Sequence, residues 1–186
     1  IIAGSGQVGG TASATADGYL VNGRWPYASG APHAQWQTGN CRVQGNGNEH
    51  TMSFIFERSE VQFDANWHYV GLNASAGHSF EVRDVFVPRA RAFMISAESA
   101  VMPGSIYRYP FLQLAESTLA ANTSGMCLYF LELAAKNVWE KQPLHERGLR
   151  VREKGKRLIL DAAAHIAGLR REFFDALDNS WNQFEP

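Results

Sequence analysis

The densest group of chemistry-bearing side chains is a basic run, Arg147, Arg150, Arg152, Lys154, Lys156 and Arg157, offset by Glu146 and Glu153. An arginine fork matches two phosphate oxygens at once, so one reading of this run is a phosphate contact. The other is the solvated face of a helix. His33 and His78 are candidate substrate-pocket bases, since imidazole changes charge near neutral pH; simple loop polarity is the alternative for each. Ser29 offers a hydroxyl, and with Gly30 it also fits a strand-ending turn. Trp25 is either a pocket wall or a core aromatic. Metal chemistry is not expected. Cys41 and Cys127 lie far apart, with no CxxC pair and no His/Cys cluster. Reduced thiols in a cytoplasmic protein are the expectation. The triplets Asn73-Ala74-Ser75 and Asn122-Thr123-Ser124 fit the glycosylation acceptor pattern and are read as accidental.

The elements that must position these groups fall into two kinds. Of 186 residues, 45% are hydrophobic, enough for one domain or two small ones, and the net charge of −1 gives no basis for nucleic acid or a membrane as partner. Up to about residue 95 the pattern is that of strands: Ile1–Gly4, Tyr19–Trp25, Gln35–Val43, Thr51–Phe56, Trp67–Leu72 and Phe80–Val87, with turn residues such as Asp17-Gly18 and Gly45-Asn46-Gly47-Asn48 between them. Met52, Phe54 and Phe56 share one face of their strand. Many short strands with turns predict an antiparallel sandwich or barrel. From about residue 111, after Pro110, apolar residues recur every three or four positions. Ala115, Leu119, Thr123, Met126, Phe130 and Leu133 form one stripe, and Ile159, Ala162, Ile166, Leu169, Phe173, Leu177 and Trp181 another. Pro143 predicts a turn near Lys141–His145, so the two helices should run antiparallel. Each stripe is longer than the other helix can cover, which predicts further helices or a partner subunit.

The string Gly10-Thr11-Ala12, Asp17-Gly18-Tyr19-Leu20-Val21-Asn22-Gly23-Arg24-Trp25-Pro26-Tyr27-Ala28-Ser29-Gly30 and His33-Ala34-Gln35-Trp36 resembles the opening strands of the middle β-domain of acyl-CoA dehydrogenases. Its latter part, from Trp25 through Ser29-Gly30 to Trp36, is more similar to the two-component flavin-dependent monooxygenases of that superfamily. A second match runs from Trp67-His68-Tyr69-Val70-Gly71-Leu72, through Ser75 and His78, to Val82-Arg83-Asp84-Val85-Phe86-Val87-Pro88, similar to the family's closing strand. Tyr109-Pro110 and Gly125-Met126 match the start of its helical part. The resemblance covers most of residues 1–140.

The resemblance implies an α+β fold: a β-domain over 1–97 that contacts flavin, and part of an antiparallel helical bundle over 105–186, with the family's N-terminal helical domain missing. It implies FMN or FAD as cofactor, in reduced form for a monooxygenase, delivered by a separate flavin reductase and reacting with O2 to hydroxylate a small aromatic or heteroatom-bearing substrate. Tyr27, Ala28 and Ser29 would lie against the flavin ring, with Ser29 near N5 as the catalytic hydroxyl. Ser5, Gly6 and Gln7 would form a loop at the ring's other edge, and Arg147 would meet the flavin phosphate. Dehydrogenases carry threonine at the position of Ala28, a departure that disfavours the second reading, an FAD-dependent acyl-CoA dehydrogenase. A third reading is a flavin-free binding or scaffold remnant. Homotetramers are typical of the family. The catalytic base would lie beyond Pro186, so the chain is expected to be truncated at both ends and catalytically incomplete.

Overall fold

The chain divides into two compact units, Ile1–Ile95 and Ser96–Pro186; a computed structural model describes residues 1–44, 50–140 and 145–184. The predicted turns at Gly45–Asn48 and around Pro143 fall mostly outside the described residues. The first unit is built on one sheet. Its strands are β1 (Ile2–Ala14), β2 (Gly18–Trp25), β3 (Trp36–Gln44), β4 (His50–Glu57), β5 (Gln62–Asp64), β6 (Ser79–Pro88) and β7 (Ala92–Phe93), in the order β5-β6-β2-β1-β3-β4-β7.

Two details depart from the sequence expectation. The sheet is not wholly antiparallel, because β1 and β3 pair in parallel, from Ile2↔Trp36 to Ser13↔Gln44. After β2 the chain crosses the end of β1 and joins its far side, so residues 26–35 must span one strand's width there. The strand expected at Trp67–Leu72 is also absent. That stretch is irregular and leads into a 3-10 turn at Asn73–Ser75. Its backbone cannot join a ladder: the Trp67 N–H donates to the His78 imidazole at 3.1 Å, and Leu72 is left-handed at φ 55°.

Trp25 organises the core. It is fully buried, stacked on Phe80 at 5.0 Å between ring centroids and tilted against Phe56 at 5.5 Å. Its Nε1–H donates to the Asn40 carbonyl at 2.9 Å, which removes the cost of burying an indole donor. Glycine lines the ring's surroundings for a steric reason. A Cβ at Gly10, Gly23 or Gly39 would come within 2.5 to 2.6 Å of an indole carbon. Phe54, Phe56 and Phe80 are likewise fully buried, and each such side chain stabilises the unit by roughly 1.5–3 kcal/mol on area grounds. The Cys41 thiol sits in this core, where burial pushes its pKa up to about 12, so it is an unreactive packing group.

The two resembling strings meet across β2 and β6. Their register shifts between Val21↔Val85 and Gly23↔Val82. Asp84 is left-handed at φ 49°, and it is held by a reciprocal pair: Asn22 Nδ2 donates to Asp84 Oδ1 at 2.9 Å and the Asp84 N–H donates to Asn22 Oδ1 at 2.8 Å. Asn and Asp are needed here as partners in one bulge.

The second unit carries α1 (Phe111–Glu140) and α2 (Glu146–Asn182). They run antiparallel, since Gln113 Nε2 donates to Ser180 Oγ at 2.9 Å, Arg170 bonds Ser124, and Arg152 Nη2 donates to the Trp139 carbonyl at 3.2 Å. The α2 stripe is half-buried as predicted, apart from Leu169, which is exposed. The α1 stripe is corrected. Leu119, Thr123, Met126, Phe130 and Leu133 are exposed, and the half-buried seam is Leu114, Ala115, Ser117, Ala121, Ser124, Leu131, Ala134, Ala135 and Val138, so only Ala115 of the expected stripe belongs to it. Small residues at this seam let the helices approach closely.

Candidate functional site

Strand directions gather most of the candidate residues at one end of the sheet. Trp25↔Phe80 is the last β2–β6 pair, so Tyr27, Ala28 and Ser29 leave β2 where His78 precedes β6. β1 runs opposite to β2, with Gly10↔Gly23 the last pair, which places Ser5, Gly6 and Gln7 at that same end. The connection from β2 to β3 is pinned by small side chains. Ala28, Ala31 and Ala34 are buried, while Tyr27, Ser29 and His33 are exposed between them. Backbone bonds fix the path: Ala28 N–H to the His78 carbonyl at 3.1 Å, Gly30 N–H to the Ser75 carbonyl at 2.7 Å, and Gln35 N–H to the Ile1 carbonyl at 3.1 Å. The result is a ledge with a buried backing and an accessible Tyr27–Ser29 edge. The Ser29 hydroxyl has no hydrogen-bond partner among the described residues.

An aromatic group borders the ledge. Tyr27 meets Trp67 edge-on at 6.1 Å, and Trp67 lies 4.4 Å from Tyr69, centroid to centroid. Trp67 Nε1–H donates to the Leu72 carbonyl at 3.0 Å. The Tyr27 hydroxyl, as hydrogen-bond partner and neighbouring phenol, holds the Tyr69 phenol above its ordinary pKa. His78 links the two segments. Its Nδ1 accepts the Trp67 N–H, and its carbonyl accepts the Ala28 N–H. Tyr27, Leu72 and Ala76 have φ values of 61°, 55° and 44°. Left-handed backbone at a non-glycine residue costs about 1–2 kcal/mol, and three such residues where two segments cross mark a strained junction of the kind found at functional sites.

Other candidates sit differently from expectation. Ser5, Gly6 and Gln7 belong to β1, where its register with β3 shifts between Ser5 and Val8; they are a bulge rather than a loop. Asn40, which nothing in its sequence context singles out, fixes that bulge. Its Nδ2 donates to the Gly6 carbonyl at 3.0 Å while its Oδ1 accepts from Ser53 Oγ at 2.7 Å. Trp25 is a core side chain with no exposed surface, so the structure corrects its reading as a pocket wall. The basic run is not one patch. Arg152 turns to the last turn of α1, Lys156 pairs with Glu153 at 2.8 Å, and Arg157 lies 3.9 Å from Asp161. Arg147 is exposed in the first turn of α2, in the helical unit. Trp67 and Tyr69, read as strand residues from the sequence, are the additional side chains at the ledge. Among the described residues, no group of three or more His, Cys, Asp or Glu is placed to hold a metal ion, and no helix is long and apolar enough to cross a membrane.

Comparison with known proteins places this geometry. No family model matches the sequence. Over 98% of the chain, the crystal structure of the HsaA monooxygenase from Mycobacterium tuberculosis superposes with a TM-score of 0.78 at 28% identity, and that of an acyl-CoA dehydrogenase from Geobacillus kaustophilus with 0.76 at 16%. The chain has the acyl-CoA dehydrogenase fold. Within that fold its sequence is similar to flavin-dependent monooxygenases. It is 33% identical over 117 residues, 59% of its length, to the oxygenase subunit HsaA of Mycobacterium tuberculosis, and 29% identical over 126 residues to the oxygenase component of an FADH2-dependent resorcinol hydroxylase from a Rhizobium species. The chain spans 30% of the length of each of these relatives and about half of each solved chain, 49% and 50%. Both resembling strings lie in the β-unit of this acyl-CoA dehydrogenase fold, and the Tyr27–Ser29 ledge is contiguous with them.

Proposed function

We propose that this chain is the flavin-contacting part of a cytoplasmic oxygenase component that uses reduced FMN or FAD and O2 to hydroxylate a small aromatic or heteroatom-bearing substrate, with a separate reductase supplying the flavin. The carrying observation is the Tyr27–Ser29 ledge: an accessible edge, backed by buried alanines and bordered by aromatic rings, at the sheet end that also holds the Ser5–Gln7 bulge. These residues fit a planar three-ring group. Tyr27 offers an aromatic surface, Ser29 Oγ an uncommitted hydroxyl, and Gly6 a place where backbone can approach closely. Reduced flavin, when bound, supplies the electrons and the site of oxygen activation. The protein's part would be to hold the ring against a rigid edge, accept the N5–H of the reduced ring at Ser29 Oγ, and exclude water. Ala28 has no hydroxyl to add a donor, which argues against acyl-CoA dehydrogenation. Arg147 is proposed for the flavin phosphate on the family resemblance alone. A homotetramer is part of the same reading, supported by Leu119, Met126 and Phe130, exposed by 66%, 64% and 69%.

The test is binding of reduced FMN and of FADH2, followed by product formation with O2 and a phenolic substrate in the full-length protein. Ser29→Ala is expected to leave folding intact and lower turnover by about a hundredfold, the scale for losing one fixed hydrogen bond at the reacting centre. Failure to bind either reduced flavin overturns the reading, and bleaching of bound oxidised FAD by an acyl-CoA transfers the chain to the dehydrogenases.

A further inference from the structure

α2 lays one stripe against α1, and a second line of residues runs along its outer side. Lys154, Leu158, Asp161, His165, Gly168 and Glu172 recur at alternating spacings of four and three. The same spacing reaches Arg147 and Val151 before them and Asp175 and Asn179 after them. A heptad repeat of this kind keeps side chains on one line between two helices that wind around each other. α1 leaves the line open. Val151 and Leu158 are exposed by 67% and 59%, and Lys154, His165, Glu172 and Asp175 are exposed as well.

Charge is sorted along this line and its flank. The first half holds Arg147, Arg150, Lys154 and Arg157, and the second half holds Glu172, Asp175 and Asp178. Lys156 is paired with Glu153 on its own helix, whereas Lys154 and Glu172 have no hydrogen bond or ion pair among the described residues. A reversed copy of the same helix answers the pattern. About a two-fold axis midway between Asp161 and His165, Lys154 faces the partner's Glu172, Asp161 faces the partner's His165, and Arg150 lies beside the partner's Asp178. Each contact occurs twice. Leu158 faces the partner's Gly168, where a Cβ would meet nothing within 4 Å, so there is room for the leucine. The like-charge approach of Arg157 to the partner's Arg171 is offset by Asp161, 3.9 Å from Arg157. A parallel copy would set Lys154 against Lys154, which disfavours that arrangement.

We propose that the outer line of α2 is an interface with a second copy of this chain, joined antiparallel through paired Lys154–Glu172 contacts, with Leu158 seated beside Gly168. This contact requires no flavin, so it stands apart from the oxygenase reading, and it adds a face on α2 to the exposed α1 residues cited for self-association. Exposed ion pairs are individually weak and screened by salt, so the contact is salt-sensitive.

The experiment is sedimentation equilibrium of the flavin-free full-length protein, with helix content followed by circular dichroism. Association is expected to weaken at least about tenfold between low salt and 0.5 M sodium chloride. Lys154→Glu and Glu172→Lys, each alone, should lower the assembled mass to about half, the sign of losing one two-fold contact. An equal mixture of the two variants should restore the mass, because each then meets the opposite charge on its partner. Both substitutions in one chain should restore it for the same reason. Single variants that assemble like the unmodified protein overturn the proposal, as does a mixture no better assembled than either variant alone, or an unmodified protein that stays monomeric. Reduced FMN is then titrated into the unmodified protein. Restored mass in the mixture without flavin binding leaves this interface standing and removes the oxygenase reading.

Discussion

Trp25 and Phe130 are both large aromatics in regular elements, yet Trp25 is fully buried and Phe130 is 69% exposed. The contrast extends to their units. The β-unit seals its Trp25, Phe54, Phe56 and Phe80 cluster, and neither α1 nor α2 contains a buried residue. The sheet buries one indole among three phenylalanines and so holds a sealed core cluster. A pair of helices has one seam between them and leaves the remaining apolar surface of this unit open.

Trp25→Ala is the strongest way to break this contrast. Removing a fully buried indole is expected to cost about 3–5 kcal/mol, seen as loss of the near-ultraviolet signal and a lowered chemical midpoint of the β-unit, with the helical far-ultraviolet signal less affected. Gly39→Ala comes next, at about 1–3 kcal/mol from overpacking, because its Cβ would fall 2.5 Å from the Trp25 ring; Trp25→Phe in the same chain should relieve part of it. Glu60→Gln is smaller. Burial pushes the Glu60 carboxyl up, but hydrogen bonds from Arg91 at 2.7 and 2.8 Å and from the Glu57 N–H at 2.7 Å outweigh this and hold it below the ordinary 4.5. A carboxyl lowered in the folded state adds stability above its unfolded value and loses it as pH falls through the folded one. The variant should therefore be about 1 kcal/mol less stable near pH 7, and the gap should close below pH 4.5 in paired denaturation curves. Smallest of all, Leu119→Gln on exposed α1 should change folding stability by no more than about 0.5 kcal/mol. It should nevertheless reduce self-association in sedimentation, and an unchanged association state would count against the second half of the contrast.

Legibility in the sequence followed the same division. Alternation over Thr51–Phe56 pointed to the face of Met52, Phe54 and Phe56, because apolar residues hold every second position there. The α2 stripe was readable for the same reason, with Arg, Lys, Glu and Asp filling its remaining faces. α1 carries apolar residues around much of its circumference, so several three-and-four spacings fit it. The stripe through Leu119 and Met126 was the wrong one, and Ser117 and Ser124, on the real seam, look like surface residues. At the site, the Tyr27–Ser29 ledge came from resemblance, and spacing alone would have left Ser29-Gly30 as a turn. The role of Asn40 was invisible, because holding Gly6 depends on a pairing between residues 34 positions apart. The Trp67–Leu72 stretch has strand composition, but a side-chain acceptor from His78 takes its backbone donor and bends it into the groove wall.

The place of β1 in the strand order has a consequence of its own. It is the fourth of seven, with β2, β6 and β5 on one flank and β3, β4 and β7 on the other. Frayed outer strands would cost the molecule a rim. Excision of this central plank would divide the platform into two three-stranded flaps, parting the Tyr27 side from the Asn40 side. The keystone of the sheet is thus β1, which must wait for β3, from later in the chain, before it is flanked on both sides.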